Sequence, residues 1–415
     1  MIDKTKAAQH FANWKQICVA DGEALWGIDL HTPFMFIDNE RNVVANCADA
    51  EGNLTADGDV FVGKFPADMA FAASAVDLWG KRWGTMPWWL TELQLNKNAV
   101  DTMIHEGFHA VQPMLFGKSD FNPQNGHLNN ADARILLLCE KRAMLAALKS
   151  GAGACSKAVK AALRFRADRL AIYDKRADEA ANEIMEGTAV FTEMTLGFGG
   201  DKTAIIAALE RNVTAAMEVD SLAHMSGYFL GALYCFVIDA LDPLAKRSFR
   251  RDTVMSEVLQ QVAGIGEIPP FEEIDAESYG HSEITAHVRE QEKARAELIA
   301  GFVDKFSNRP TLSLISEEGG SIRGQIIPVE GLGTVLKGRY ECFGDFGRLI
   351  VEGGEVLSLS KGHYKVTAED MCHNEDGKLI GKDWMIELAW GWGAVQTLGA
   401  FAITNYELRI TNERL

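Results

Sequence analysis

The chain has 415 residues, 47% of them hydrophobic, enough for a large core and for two or three domains. Its formal charge of −17 and pI of about 5.1 argue against nucleic acid or anionic membrane as partners, because both reward a basic surface. No apolar run reaches the roughly 18 residues of a membrane helix, and the first twenty residues, with Asp3, Lys4, Lys6, His10 and Lys15, do not read as a signal peptide. Seven scattered cysteines, odd in number and without CxxC spacing, fit a reduced, cytoplasmic protein.

Residues 5–17 read as a short amphipathic helix. Short β-prone runs follow at 24–30, 33–37, 42–46 and 60–63, separated by turn signals at 38–41 and 57–59, which predicts a small, mainly antiparallel sheet. Residues 79–90 are rich in aromatics, and Pro87 within them suits an edge strand. Together these form an N-terminal α/β part, residues 1–98.

The stretch Thr102-Met103-Ile104-His105-Glu106-Gly107-Phe108-His109 places two imidazoles four residues apart in an apolar, helix-compatible run, so both rings leave one face. Zn²⁺ accepts imidazole nitrogens at about 2.0 to 2.1 Å, and a catalytic site uses three protein ligands and keeps one position open. His105 and His109 supply two. Glu106 points about 100° round the helix, which suits a carboxylate that takes a proton from zinc-activated water without binding the metal. This is the HExxH pattern of zinc metallopeptidases. Residues 113–117 mark the end of the helix, and a polar loop follows, containing His127, which reads as a surface residue with substrate contact as the alternative. An αα-hairpin then spans roughly 128–173.

Residues 180–193 form another helical run with carboxylates set into an apolar face, where an uncompensated charge is costly. Within it, Glu186-Gly187-Thr188-Ala189-Val190-Phe191 resembles the third-ligand helix of the gluzincins, peptidases whose zinc is held by two His and one Glu. The resemblance covers about residues 80–240, with Phe191 where many members have Tyr. It implies Glu186 as third ligand. Glu183 shares its face and sits in an Asn-Glu pair like that of thermolysin-like members, so either glutamate can be the ligand and the other a supporting acceptor. In gluzincin-like folds an edge strand beside the zinc helix holds extended peptide, which would place Trp88 and Trp89 along a cleft. The same resemblance assigns His224 and Tyr228, four apart on an apolar helix, to the oxyanion of the tetrahedral intermediate.

Residues 282–306 read as a charged, solvated helix, closing a mainly helical zinc-site part at 99–306. From 308 to 415 the composition turns to β, with hairpin punctuation at 352–354 and 376–377, predicting a β-sandwich or barrel. The expected fold class is therefore α+β: a zincin-like metallopeptidase domain with a small sheet and a helical subdomain, then an all-β domain. The expected function is hydrolysis of peptide or protein substrates with Zn²⁺ as cofactor. The alternative is a non-catalytic zincin-like protein whose β-domain engages a partner. The intact Glu106 favours the enzyme.

Overall fold

The computed structural model describes residues 1–92, 99–118, 121–150, 152–219, 221–223, 225–316, 319–360, 362–374, 376–397 and 400–405. The fold is α+β and divides into two compact units, residues 1–289 and 290–415. Among the described residues no helix is long and apolar enough to cross a membrane.

The first unit begins with α1 (Lys4–Asp21), whose Asp3 side chain accepts from the Lys6 amide and whose chain exits through a left-handed Gly22. Ala7, Phe11, Trp14 and Cys18 recur at helical spacing on its buried face. Six strands follow: β1 (Phe34–Ile37), β2 (Asn42–Ala45), β3 (Thr55–Asp57), β4 (Val60–Lys64), β5 (Ser74–Leu78) and β6 (Lys81–Pro87), in the order β3-β4-β2-β1-β6-β5. Only β1 and β6 pair in parallel; the other neighbours are antiparallel.

Two local expectations fail here for identifiable reasons. Residues 24–30 form turns instead of a strand: the Asp21 carboxylate accepts from the Leu25 amide, Gly27 is left-handed, and Trp26 is drawn inward to donate from Nε1 to Thr192 Oγ1 at 2.8 Å. The aromatic stretch at 79–90 is likewise not an edge. It opens with Trp79 and Gly80, both at positive φ, in the two-residue turn that joins β5 to β6. Strand β6 then lies inside the sheet, with Pro87 as its last residue. The edge is β5. Trp88 packs against Phe36 with ring centroids 5.2 Å apart and is core, while the half-exposed Trp89 does not line the cleft described below.

The rest of the unit is helical: α2 (Ala99–Phe116), α3 (Ala131–Lys149), α4 (Ala152–Tyr173), α5 (Arg176–Asn182), a π-turn (Glu183–Gly187), α6 (Thr188–Gly197), α7 (Lys202–Ala215), α8 (Ser226–Leu241), α9 (Met255–Val262) and the first part of α10 (His281–Ser307). Helix α2 lies close enough to α1 that a Cβ on Gly107 would come within 2.5 Å of the Trp14 ring. Glycine at 107 is therefore a packing requirement one residue after Glu106.

The second unit holds the end of α10 and ten strands, β7 (Thr311–Ile315), β8 (Gly320–Val329), β9 (Gly333–Gly344), β10 (Gly347–Ser360), β11 (His363–Thr367), β12 (Cys372–His373), β13 (Leu379–Ile380), β14 (Trp384–Leu388), β15 (Trp392–Thr397) and β16 (Ala400–Asn405), all in one sheet. The long β10 takes β9 along one edge, while β14 pairs its first half and β11 its second. The two arms curl over a shared core that includes Leu312, Leu349, Val366, Trp384 and Ile403. The hairpin expected at 352–354 is instead a register shift within β10, between Val351 and Gly354. A left-handed Gly353 absorbs it while the strand continues.

Candidate metal centre

Helix α2 buries Met103, Ile104, Phe108 and Val111, and this fixes its rotation so that His105 and His109 face α6 and the π-turn before it. Their rings are 4.8 Å apart between centroids. The Nε2 atoms of both lie 3.5 Å from a single atom, Oε2 of Glu186. The edge of a tetrahedron with metal–ligand bonds of about 2.1 Å is roughly 3.4 Å, close to both imidazole–carboxylate separations, and all three ligand atoms lie within 4.8 Å of one another, so one small cation fits among them. Oε2 of Glu186 is buried and has no hydrogen-bond partner of its own among the described residues, which suits an acceptor reserved for a cation. His105, His109 and Glu186 thus form a possible metal-binding group.

The outer ring nitrogens decide which nitrogen faces inward. His105 Nδ1 lies 3.0 Å from Glu193 Oε2, and His109 Nδ1 lies 2.9 Å from Gln112 Oε1. Gln112 is oriented in turn, because its Nε2 donates to the Met185 carbonyl at 2.6 Å and to Thr188 Oγ1 at 2.9 Å. With both Nδ1 atoms committed as donors to oxygen, each Nε2 presents its lone pair to the group. Sequence reading did not single out Glu193 or Gln112. The available signal was spacing: Glu193 is seven residues beyond Glu186, two turns along the same face.

Glu186 sits on the π-turn, a helical irregularity frequent at functional sites. The turn is pressed from outside by α8, since a Cβ on Gly187 would stand 2.4 Å from the Gly231 Cα. Glycine at both positions lets backbone meet backbone. From the same helix Tyr228 stacks on the His105 ring, with centroids 5.9 Å apart and planes 6° apart, and burial, with the nearby Glu186 carboxylate adding to it, raises its hydroxyl above the usual range.

Glu183 is elsewhere. Its carboxylate takes both terminal nitrogens of Arg166, at 2.6 and 3.0 Å, inside a buried network with Arg169, Glu140 and Glu179. It contacts neither histidine, so the supporting acceptor is Glu193. Burial raises the Glu183 carboxyl to about 7 against the pull of Arg166, with Glu140 and Glu179 adding to the rise. His127 belongs to the same network: it is buried and pairs with Glu179 at 2.8 Å, so it is neither a surface residue nor a cleft residue. His224 lies outside the described residues.

Burial disfavours charge on His105, but the neighbouring carboxylates of Glu186 and Glu193 outweigh it and lift the ring to about 9. Burial opposes ionisation of Glu186 too, yet the two histidines hold its carboxyl far below the usual range. A cation among the three groups would compete with protons for the same lone pairs. Glu106, also buried, is pushed upward by desolvation and by Glu186 and Glu193, partly offset by the two histidines. An elevated carboxyl beside a metal group is suited to accepting and returning a proton.

These groups open onto a cleft of about 460 Å³, walled by Glu106 and Tyr228 on the helical side and by the edge strand β5 through Ser74, Ala75 and Asp77 on the other. Arg251, unnoticed in sequence, completes the wall. Comparison of the chain with protein-family models, with curated proteins and with solved structures returned no match.

Proposed function

We propose that the chain is a zinc-dependent peptidase of gluzincin type, with a zincin-like catalytic unit in residues 1–289. The observation that carries the reading is the convergence of His105 Nε2 and His109 Nε2 on Glu186 Oε2, with the Glu106 carboxyl beside them in one cleft. Two imidazoles and one carboxylate are a donor set for Zn²⁺ with one position left open. When bound, Zn²⁺ acts as a Lewis acid on a carbonyl oxygen and makes a coordinated water far more acidic.

The chain's own residues do the rest. Glu106 accepts a proton from the attacking water and returns it to the leaving amine, which its raised pKa favours. Tyr228, held over His105 in the cleft wall, offers its hydroxyl to the developing oxyanion. Strand β5 has an unpaired main-chain edge along the cleft, where an extended peptide can add as a further strand.

The test has two arms. Metal analysis of the purified protein should find about one zinc per chain, lost when His105 and His109 are both replaced by Ala. Mass spectrometry of a mixed peptide library should then show products with wild type that are absent with Glu106→Gln, which keeps its zinc. General acid–base catalysis contributes about 10² to 10⁴-fold, and the loss should be at least that large. Zinc retention with no Glu106-dependent cleavage would leave a metal-bearing binding protein as the better reading.

A further inference from the structure

The cleft does not end at the metal group. A second cavity of about 600 Å³ adjoins it, and the two share Lys118 and Arg251 as lining residues. Its remaining wall combines Phe121, Ala177, Ala180 and Val254 with Asp174, Asp252 and Arg176, the last already paired with Glu257. Both shared cations belong to one junction. Lys118 lies two residues past the end of α2, and the Arg251 amide donates to the carbonyl of Phe116, the last residue of that helix, at 3.0 Å.

The cations of the cleft differ in what they already hold. Arg82 is committed to Asp77 at 2.8 Å. Arg251 is half-buried, and among the described residues its guanidinium has neither an ion pair nor a hydrogen bond. Burial lowers its pKa, with Glu186 across the cleft pulling the other way, so the group carries a desolvation cost that no neighbouring carboxylate offsets by contact. A planar guanidinium in that condition is matched by a carboxylate, which it can hold bidentately.

We propose that Arg251, assisted by Lys118, binds a carboxylate of the substrate and so selects peptides whose scissile bond lies just upstream of it. Where that carboxylate is the C-terminus, the adjoining cavity takes the side chain of the residue that bears it, against Phe121, Ala177, Ala180 and Val254. This rests on the peptidase reading and deepens it: the carboxylate is the peptide's own C-terminus, as for an enzyme that trims C-terminal residues, or an Asp or Glu side chain.

Binding can be measured without turnover by isothermal titration calorimetry on zinc-loaded Glu106→Gln protein. Three probes separate the sources: N-acetyl-Ala-Phe, its C-terminal amide, and N-acetyl-Ala-Glu amide. A charge-assisted pair in a partly desolvated site predicts that the free acid binds about tenfold to a hundredfold more tightly than its amide. Adding Arg251→Gln should erase that preference, Arg251→Lys should keep part of it, and Lys118→Gln should reduce it severalfold. If N-acetyl-Ala-Glu amide binds more tightly than both N-acetyl-Ala-Phe and its amide, and loses that advantage in Arg251→Gln, the carboxylate recognised is a side chain. Equal binding of all three probes, no binding of any probe, or a preference that survives Arg251→Gln would each overturn the proposal. Zinc content and thermal melting of the same samples keep this distinct from failure of the metal site or of folding.

Discussion

Replacing Gly231 by alanine tests whether α8 sets the position of the metal group. The added methyl would lie 2.7 Å from the Glu183 carbonyl oxygen, 2.8 Å from the Gly187 Cα and 3.0 Å from the Glu183 Cα. All three are backbone atoms, so no side chain can swing aside and the π-turn or α8 must move. Helix propensity alone would favour alanine by about 1 kcal/mol. Overpacking typically costs about 1 to 3 kcal/mol, and a backbone-on-backbone clash belongs at the upper end. The net expectation is a loss of roughly 2 kcal/mol, or about 3 °C in melting temperature for a unit of this size. Because the moving element carries Glu186, zinc affinity should fall in the same variant. Gly301→Ala is the control: it lies in a helix with nothing within 4 Å of the added methyl, and should be neutral or slightly stabilising. Thermal melts with and without zinc, and zinc titrations against a chromophoric chelator, provide the readouts. A Gly231→Ala protein as stable and as zinc-avid as wild type would refute the claim that this crossing positions the site.

The two neighbouring glutamates should separate cleanly. Glu186→Gln should weaken zinc by more than roughly a hundredfold, whereas Glu183→Gln, which touches Arg166 and not the histidines, should leave it within a few-fold. Glu183 is held at about 7, above its unfolded value, so the folded protein retains a proton that the unfolded chain releases. Wild-type stability relative to Glu183→Gln should therefore fall as pH rises from about 4.5 to 7, a trend urea melts across that range would show or exclude. Glu193→Gln should lose about 10 to 100-fold in zinc affinity without unfolding, because the His105 Nδ1 acceptor is weakened while the ligands remain. Zinc affinity itself should climb with pH up to about 9, as the proton lifted onto His105 becomes easier to displace, and a flat profile between pH 6 and 9 would contradict this.

The parts of this site that were legible in sequence are those carried by one helix. His105, Glu106 and His109 are fixed relative to each other by local geometry, and Glu186 could be matched by its short run, although spacing alone could not separate it from Glu183. What decided between them was Arg166 on α4, and no local pattern in the 180–193 run points to a guanidinium on another helix. Arg251 was hidden for the same reason, since it joins the cleft only through its hydrogen bond to the end of α2. The strands were read where β-branched and aromatic residues gathered, as at β1 and β2. They were missed where the sheet imposed the conformation on a weak sequence, as at the edge β5, Ser-Ala-Val-Asp-Leu. Tertiary context also overruled local propensity at residues 24–30, where burying Trp26 against Thr192 displaced the expected strand.

The π-turn at Glu183–Gly187 has a further consequence for how one helical segment serves two masters. Glu179, Glu186 and Glu193 are spaced by sevens, and on an uninterrupted α-helix all three would ride the same stripe. Instead Glu179 turns to Arg169 while Glu186 and Glu193 turn to His105. The extra residue accommodated in the π-turn retards the phase by roughly 100° and divides the stripe between a structural salt network and the candidate metal centre. Reversion of the segment to a regular α-helix at unchanged length would alter no side chain's chemistry, yet it would rotate Glu179 back into line with Glu186 and Glu193 and force one network to lose its carboxylates to the other. The spacing of charges along a helix is thus a different quantity from their direction in space, and here one inserted residue converts the first into the second.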